Sequence, residues 1–240
     1  MEGLLQPKDV GAGGWCFFNA FCDQLGSREI PNAKYLAVLA LAAMAERHVD
    51  FAPSVQGVGW DLCEAPEIRD ARAALACVGP YRGMANVLTP FECVVLDKFE
   101  GVLSGDLLES RRYADAHEMH VLLQPCGLKL LVLEGREEAG EQLSRVYPGA
   151  ERLDDEDLRA GALDMVFVRY QSGAFEHYES VCFADGEPWR VSGEVRGRVE
   201  ACHAACAVSQ ALRRGEVDVA RASMLSLLQT SGASGAGAVL

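Results

Sequence analysis

The spacing of apolar residues changes once along this chain of 240 residues, and that change constrains its fold more than any other feature. Before Gly127, apolar residues recur every three or four positions, which is the period of helices that bury one face. The predicted helices are Cys16–Leu25, about Ala33–His48, Pro66–Val78, Pro90–Leu103 and Ala116–Cys126. Glycine or proline stands at or near the end of several of them, as is typical of helix boundaries.

After Gly127 the apolar segments become short and are bounded by turn residues, which indicates β-strands. The predicted strands are Leu128–Glu134, Asp164–Tyr170 and Phe175–Phe183, with Glu187–Val191 as a candidate for another. The polar segment Glu137–Gly161 is expected to be an exposed connection, and residues 171–174 predict a hairpin turn. The chain becomes helical again from Ala201, and Ser231–Leu240 has the composition of a flexible tail. Helices first and hairpin strands later predict an α+β fold rather than a doubly wound sheet.

Charge and hydropathy exclude several classes of protein. The formal net charge of −13 argues against a nucleic-acid partner, which would need clustered Lys and Arg. The longest apolar run, Leu36–Ala45, is too short to span a bilayer, and Met1–Val10 does not have the apolar core of a signal peptide. We therefore expect a protein of the cytoplasm or nucleus that is not secreted and does not enter the membrane. In a reducing compartment most of its nine cysteines would be buried thiols.

Cys202 and Cys206, with His203 between them, resemble half of a metal site. A structural zinc site needs four ligands, and no second pair follows at a suitable spacing. The sequence therefore predicts neither a metal site nor a cofactor.

Cys16 is the strongest candidate for a nucleophile. It opens a predicted helix directly after Gly13, Gly14 and Trp15. The first N–H groups of a helix have no internal partner, and the helix dipole places partial positive charge there, so a lowered thiol pKa is expected. The backbone N–H groups from Gly14 to Cys16 could also bind an oxyanion. The alternative is a cysteine that is merely buried beside an aromatic cluster.

His177 is the candidate base. It lies in a predicted strand of alternating type, so His177 and Glu179 share one face of that strand. A carboxylate beside an imidazole fixes its tautomer and stabilises the imidazolium. The alternative is a solvent-facing pair on an edge strand. The other histidines, namely His48, His117, His120 and His203, have ordinary explanations on helices or in the helical carboxy-terminal region.

These segments resemble a known family. GGWCFFNAFCDQL, at Gly13–Leu25, is similar to the opening of the ovarian-tumour (OTU) family of deubiquitinating cysteine proteases, where Asp-Gly-Asn-Cys precedes an apolar-aromatic pair and often Asp-Gln-Leu. FEHYESV, at Phe175–Val181, resembles the family's closing His-Tyr-x-Ser-Val/Leu segment. The resemblance extends from about Gly11 to Phe183. Two residues depart from it, because Gly13 stands in place of the aspartate and Trp15 in place of the asparagine.

The resemblance implies a papain-like OTU-type core, with a small central β-sheet flanked by helices, in residues 1–195. A helical extension would follow at 196–229 and a flexible tail at 230–240. The implied activity is hydrolysis of the peptide or isopeptide bond at the carboxy-terminus of ubiquitin, so ubiquitin, polyubiquitin chains and ubiquitinated proteins would be the partners. Cys16 would be the nucleophile, His177 the base and Glu179 its orienting acid, with Asp9 as a second candidate for the acid. Gly14, Trp15 and Cys16 would supply the oxyanion N–H groups.

Two other functions remain open. One is a papain-like protease that acts on another protein or on a ubiquitin-like modifier. The other is a catalytically weak or inactive module that binds ubiquitin. Glu200–Leu212 has the Ala-x-x-x-Ser spacing of a ubiquitin-interacting helix, but its flanks contain few acidic residues, so an ordinary packing helix is favoured.

Overall fold

The computed structural model describes residues 5–10, 15–26, 33–46, 66–105, 124–135, 142–147, 165–171, 177–183 and 185–235. The chain forms two compact units. The first contains Met1–Leu36 and Ala114–Cys202, and the second contains Ala37–Tyr113 and His203–Leu240. The predicted boundaries after residues 195 and 229 remain a prediction.

The described helices and strands are compatible with the predicted α+β class. The helices are α1 (Cys16–Leu25), α2 (Ala33–Glu46), α3 (Pro66–Ala76), α4 (Pro90–Ser104), α5 (Gly193–Ala205), α6 (Ala207–Arg213) and α7 (Val217–Gly235). The strands are β1 (Leu5–Lys8), β2 (Lys129–Gly135), β3 (Gln142–Tyr147), β4 (Met165–Gln171) and β5 (His177–Phe183). Short 3₁₀ turns occupy Gly79–Tyr81 and Gln124–Cys126.

The five strands of the first unit form one sheet in the order β1-β5-β4-β2-β3. Strands β2 and β4 are parallel, and the other neighbours are antiparallel. The predicted hairpin is confirmed by the pairing of β4 with β5, in which Gln171 lies opposite His177 and Arg169 opposite Glu179. Val166, Val168 and Val181 are buried on this sheet. β-Branched side chains fit a pleated surface well, which accounts for these strands.

Three predictions about strands need correction. The segment Glu137–Gly161 is not only a connection, since its residues 142–147 form β3 at the sheet edge, where polar side chains are tolerated. Glu187–Val191 is not a strand. It makes a single bridge, between Cys182 and Pro188, and proline has no N–H with which to extend a ladder. Strand β1 was not predicted, because Leu5–Lys8 is short and contains a proline, which strands accept at an edge.

The helices agree more closely with the prediction. Helix α1 has the predicted bounds and ends at Gly26, whose φ of 60° is the left-handed conformation that glycine adopts without strain. A capping box of Thr89 and Glu92 begins α4. Helix α7 continues to Gly235, so the predicted tail is helical as far as that residue. Of the predicted helix Ala116–Cys126, the described residues 124–126 form a 3₁₀ turn. The predicted loop Ala52–Asp61 lies outside the described residues.

The second unit is held by polar contacts to buried groups as well as by its apolar core. The guanidinium of Arg72 donates to the carbonyl oxygens of Ala85 (3.0 Å) and Leu88 (2.6 Å). Buried Tyr81 donates to Glu100, and Arg221 donates to both oxygens of that carboxylate at 2.9 and 2.7 Å. These bonds connect α7 with α4 and with the turn that follows α3. None of the described helices is long and apolar enough to cross a membrane.

Candidate functional site

The thiol of Cys16 lies at the amino end of α1. Trp15 precedes the helix as its N-cap and provides no side-chain acceptor, so the first-turn amides are left to other acceptors. The backbone N–H groups of Tyr178, Phe17 and Cys16 act to lower the pKa of the Cys16 thiol. Tyr178 follows His177 in β5. The fold therefore brings the candidate nucleophile to the backbone next to the candidate base.

The pKa of Cys16 differs from the expectation. Only 4% of the residue is exposed, and this burial raises the pKa of its thiol above the usual value. The three backbone N–H groups lower the pKa, as the position at a helix start predicts, but their effect is smaller than that of burial. The prediction of a lowered thiol pKa is therefore wrong. Burial removes more of the stabilisation that water gives a thiolate than the backbone N–H groups supply in its place.

Helix α1 packs along β5. The rings of Phe17 and Tyr178 meet edge to face, with their centroids 6.0 Å apart. The hydroxyl of buried Ser180 donates to Asp23 Oδ2 at 2.9 Å and accepts from Gln24 Nε2 at 3.4 Å. These residues come from the two segments that carry the family resemblance, and the bonded pairs are 157 and 156 positions apart in sequence. The two segments are thus in direct contact.

Strand β1 completes the support of α1. The ammonium of Lys8 forms an ion pair with Asp23, so the Asp23 carboxylate binds groups from both β1 and β5. Nearer the amino end of the helix, Asn19 Nδ2 donates to the carbonyl oxygen of Val10 at 3.2 Å. We call Lys8, Asp23 and Ser180 the polar clamp. Asp23 belongs to the segment that resembles the family, but the sequence pattern predicts neither a role for it nor its contacts with Lys8 and Ser180.

His177 lies at the start of β5. Its Nε2 atom is 3.7 Å from Asp9 Oδ1, and the two side chains are 19% and 79% exposed. Tyr178 and Ser180 point toward α1, so by strand alternation His177 points to the other face of the sheet. The contacts of the described residues include no hydrogen bond between Cys16 and His177. Direct contact between sulfur and imidazole would require the first residue of β5 to twist.

The carboxylate beside His177 in this structure is Asp9. Glu179 is half-buried on the same face of β5, opposite Arg169 in the register. Asp9 directly follows β1, and extending the register by one residue would place it opposite Glu179. Both carboxylates therefore belong to the neighbourhood of the imidazole. The role predicted for Glu179 stays a prediction, and the 3.7 Å separation from the imidazole favours Asp9.

The predicted oxyanion groups are described in part. Gly14 lies outside the described residues, as does Gly13. The ring of Trp15 is half-buried and packs edge to face on Phe18, with centroids 6.4 Å apart. Cys16 thus also lies beside an aromatic cluster, as the alternative reading of this residue expected.

His203 has the ordinary role expected of it. It is buried, and its Nδ1 atom lies 2.9 Å from the hydroxyl of Ser209. Burial, and to a smaller extent the charge of Arg213, lowers the pKa of His203 to about 4. His48, His117 and His120 lie outside the described residues. Among the described residues, no group of three or more His, Cys, Asp or Glu side chains is arranged to hold a metal ion.

Comparison with known proteins returned weak similarity. No family model matches the sequence, and no curated protein matches it. Two of the similar solved structures are an OTU deubiquitinase from Wolbachia pipientis wMel bound to ubiquitin and an OTU deubiquitinase from Wolbachia pipientis wMel. The first is 14% identical with a TM-score of 0.37, covering 75% of this chain and 97% of that one. The second is 14% identical with a TM-score of 0.36, covering 80% and 93%. Similarity at this level carries no argument about the function of this chain.

Proposed function

We propose that this chain is an OTU-like deubiquitinase, a cysteine protease with a papain-like core that hydrolyses the bond at the carboxy-terminus of ubiquitin. One observation carries the proposal. The segments that resemble the opening and closing motifs of that family pack against each other, through the hydrogen bond from Ser180 to Asp23 and the edge-to-face contact of Phe17 with Tyr178. A thiol at a helix start beside a histidine-bearing strand is compatible with nucleophilic cysteine catalysis, which further requires the imidazole to reach the sulfur.

The chemistry follows from these positions. His177 takes the proton of Cys16, and the thiolate attacks the carbonyl carbon of the peptide or isopeptide bond. Backbone N–H groups at Gly14, Trp15 and Cys16 would stabilise the oxyanion of the tetrahedral intermediate. Protonated His177 then gives its proton to the leaving amine. It next activates the water that releases ubiquitin from the acyl-enzyme. The carboxylate of Glu179 or Asp9 would orient the imidazole. This chemistry requires no cofactor.

The raised pKa of Cys16 affects the first step. A thiol that is protonated at neutral pH needs a base in contact with it. Catalytic hydrogen bonds are often long in the free enzyme and tighten in the substrate complex. We therefore propose that substrate binding brings His177 against Cys16. Ubiquitin and its conjugates would be the partners, in the cytoplasm or nucleus.

The inactive ubiquitin-binding module is a second candidate, and one observation favours it. In the described structure Cys16 is buried with a raised pKa and has no hydrogen bond to His177. Burial of this kind is also what an unreactive structural cysteine shows. The remaining candidate is a papain-like protease that acts on another protein or on a ubiquitin-like modifier. It differs from the proposed deubiquitinase only in its substrate.

A reactive probe distinguishes these candidates. The chain is incubated with ubiquitin that carries a cysteine-reactive group at its carboxy-terminus, and in parallel with ubiquitin-like modifiers that carry the same group. We expect one covalent adduct with ubiquitin, mapped to Cys16, which is lost in Cys16→Ala. His177→Ala should lose nearly as much ubiquitin hydrolysis as Cys16→Ala, since thiolate and base act as a unit.

A matched control is Cys77→Ala, because Cys77 is an exposed cysteine of the other unit and should leave adduct formation unchanged. An adduct with a different modifier only would redirect the proposal to that modifier. Tight ubiquitin binding without any adduct or hydrolysis would support the inactive module.

A further inference from the structure

Two cysteines outside the proposed site are in contact. Cys126 closes the 3₁₀ turn that leads into β2, and Cys202 lies in α5. Their sulfur atoms are 3.6 Å apart although the residues are 76 positions apart in sequence. Both belong to the first compact unit. The sequence pattern pairs Cys202 only with Cys206, whereas in the structure Cys126 is its neighbour.

The two thiols have different surroundings. Cys126 is fully buried, whereas Cys202 is half-buried. Arg198 lies one helical turn before Cys202, and its guanidinium covers Gly127, where an added Cβ would come within 3.1 Å of Nη1. Burial and the nearby Cys202 raise the pKa of the Cys126 thiol, while the charge of Arg198 acts in the opposite direction. The positive charge of Arg198 thus partly offsets the effect of burial on deprotonation of the Cys126 thiol.

We propose that Cys126 and Cys202 are an oxidation site that forms a reversible intramolecular disulfide. A disulfide has a sulfur–sulfur distance of about 2.05 Å, so the two atoms must approach by about 1.5 Å. Rotation of the two side chains about their Cα–Cβ bonds moves the sulfur atoms by distances of this order. The proposal does not depend on the proposed protease function.

The chemistry balances with a peroxide as the oxidant. The half-buried Cys202 meets the peroxide first, and its thiolate is oxidised to a sulfenic acid while the peroxide is reduced to water. The Cys126 sulfur then attacks the Cys202 sulfur, and the sulfenic oxygen leaves as hydroxide, which takes the proton that Cys126 loses. Two thiols and one peroxide thus become one disulfide and two waters. A dithiol reductant restores the starting pair by thiol–disulfide exchange.

The test uses the reduced full-length chain and a small excess of hydrogen peroxide. Trypsin is expected to release Cys126 in residues 113–129 and Cys202 in residues 199–213. We expect these two peptides to be linked after oxidation, with a mass lower by two hydrogen atoms, and to separate after reduction. Cys206 shares the second peptide with Cys202, so Cys206→Ser is the control that assigns the bond. The link should persist in Cys206→Ser and disappear in Cys126→Ser and Cys202→Ser.

A thermal measurement adds a second readout. A disulfide that closes so long a loop restricts the unfolded chain, so the oxidised chain should unfold at a temperature several degrees higher than the reduced chain. The shift should be retained in Cys206→Ser and absent from Cys202→Ser. Linkage of Cys202 to Cys206, or over-oxidation of Cys202 with no link to Cys126, would overturn the proposal.

Discussion

At the scale of single residues, Cys16 is subject to two opposing electrostatic effects. Three backbone N–H groups stabilise its thiolate, and near-complete burial destabilises it more. The position of Cys16 at a helix start can be predicted from the sequence, whereas its burial depends on which residues pack over the thiol. The resting thiol should therefore be poorly reactive unless its base approaches.

The first prediction is the pH profile of Cys16 alkylation in the free chain. Only the thiolate reacts, so the rate with iodoacetamide should rise with pH and pass its midpoint above 9.0, the usual thiol pKa. Site-resolved mass spectrometry would measure the rate at Cys16 alone. His177→Ala should leave this alkaline midpoint in place. A midpoint between about pH 5 and 7 that disappears in His177→Ala would instead indicate a thiolate–imidazolium pair in the resting chain.

The second prediction concerns the acid. Asp9 lies 3.7 Å from the imidazole but is 79% exposed, so its charge is largely screened by water. Asp9→Asn should lower the turnover of a ubiquitin substrate by up to about five-fold at low salt, and by less at high salt, since exposed pairs contribute about 0.2–1 kcal/mol. Glu179→Gln is the comparison, because it removes the other carboxylate and keeps its size. Single-turnover rates that fall more for Glu179→Gln than for Asp9→Asn would assign the acid to Glu179.

At the scale of elements, the site depends on how α1 is attached to β1 and β5. The polar clamp joins the carboxy-terminal half of α1 to both strands through one carboxylate, that of Asp23. The segment after β5 adds two hydrogen bonds, from Arg190 Nη1 to the Asp23 carbonyl oxygen and from the Val191 N–H to the Gln24 carbonyl oxygen. Cys16 at the other end of the helix is positioned by the same attachment.

The third prediction tests the clamp. Ser180→Ala removes a buried donor from Asp23 and an acceptor from Gln24, so it should lower the free energy of unfolding by about 1–2 kcal/mol. Denaturant unfolding would measure the change. Ser226→Ala is the control, because Ser226 is exposed on α7. If the polar clamp also positions Cys16, Ser180→Ala should slow turnover as well. A variant with unchanged stability would contradict the prediction and show that water replaces the hydroxyl.

At the scale of the whole molecule, the second unit contains a group that couples stability to pH. Buried His203 is neutral at pH 7, with a pKa lowered to about 4 from an ordinary value of 6.5. Between these values the unfolded chain binds a proton that the folded chain does not. Stability therefore increases with pH across this range and is lost as the pH falls through it.

The fourth prediction follows from that linkage. Lowering the pH from 7 to 4 should cost up to about 3 kcal/mol of the free energy of unfolding through His203, because each pKa unit corresponds to about 1.4 kcal/mol. Denaturant unfolding at several pH values would measure the slope. His203→Gln should be less stable at pH 7, since it disturbs the contact with Ser209, and should show a smaller loss below pH 6.5. An unchanged slope in the variant would assign the pH dependence to carboxylates.

The sequence alone determined those helices and strands whose signals lie within a few neighbouring residues. The bounds of α1, the strands β2, β4 and β5 and the hairpin pairing follow from periodicity, glycine positions and turn residues, which act over a few residues. The same signals identified Cys16 and His177 as candidates. Strands β1 and β3 were missed because an edge strand is stabilised by its neighbour's backbone more than by its own side chains.

Only the tertiary structure decided the properties that depend on distant residues. The pKa of Cys16 depends on burial, the choice between Asp9 and Glu179 depends on which carboxylate lies near His177, and Cys126 meets Cys202 across 76 positions. Desolvation and contact are properties of packing, and packing joins residues that no local pattern relates. Cys16 shows the division plainly. Its place at a helix start was determined by the sequence around it, and the direction of its pKa shift was decided by the fold.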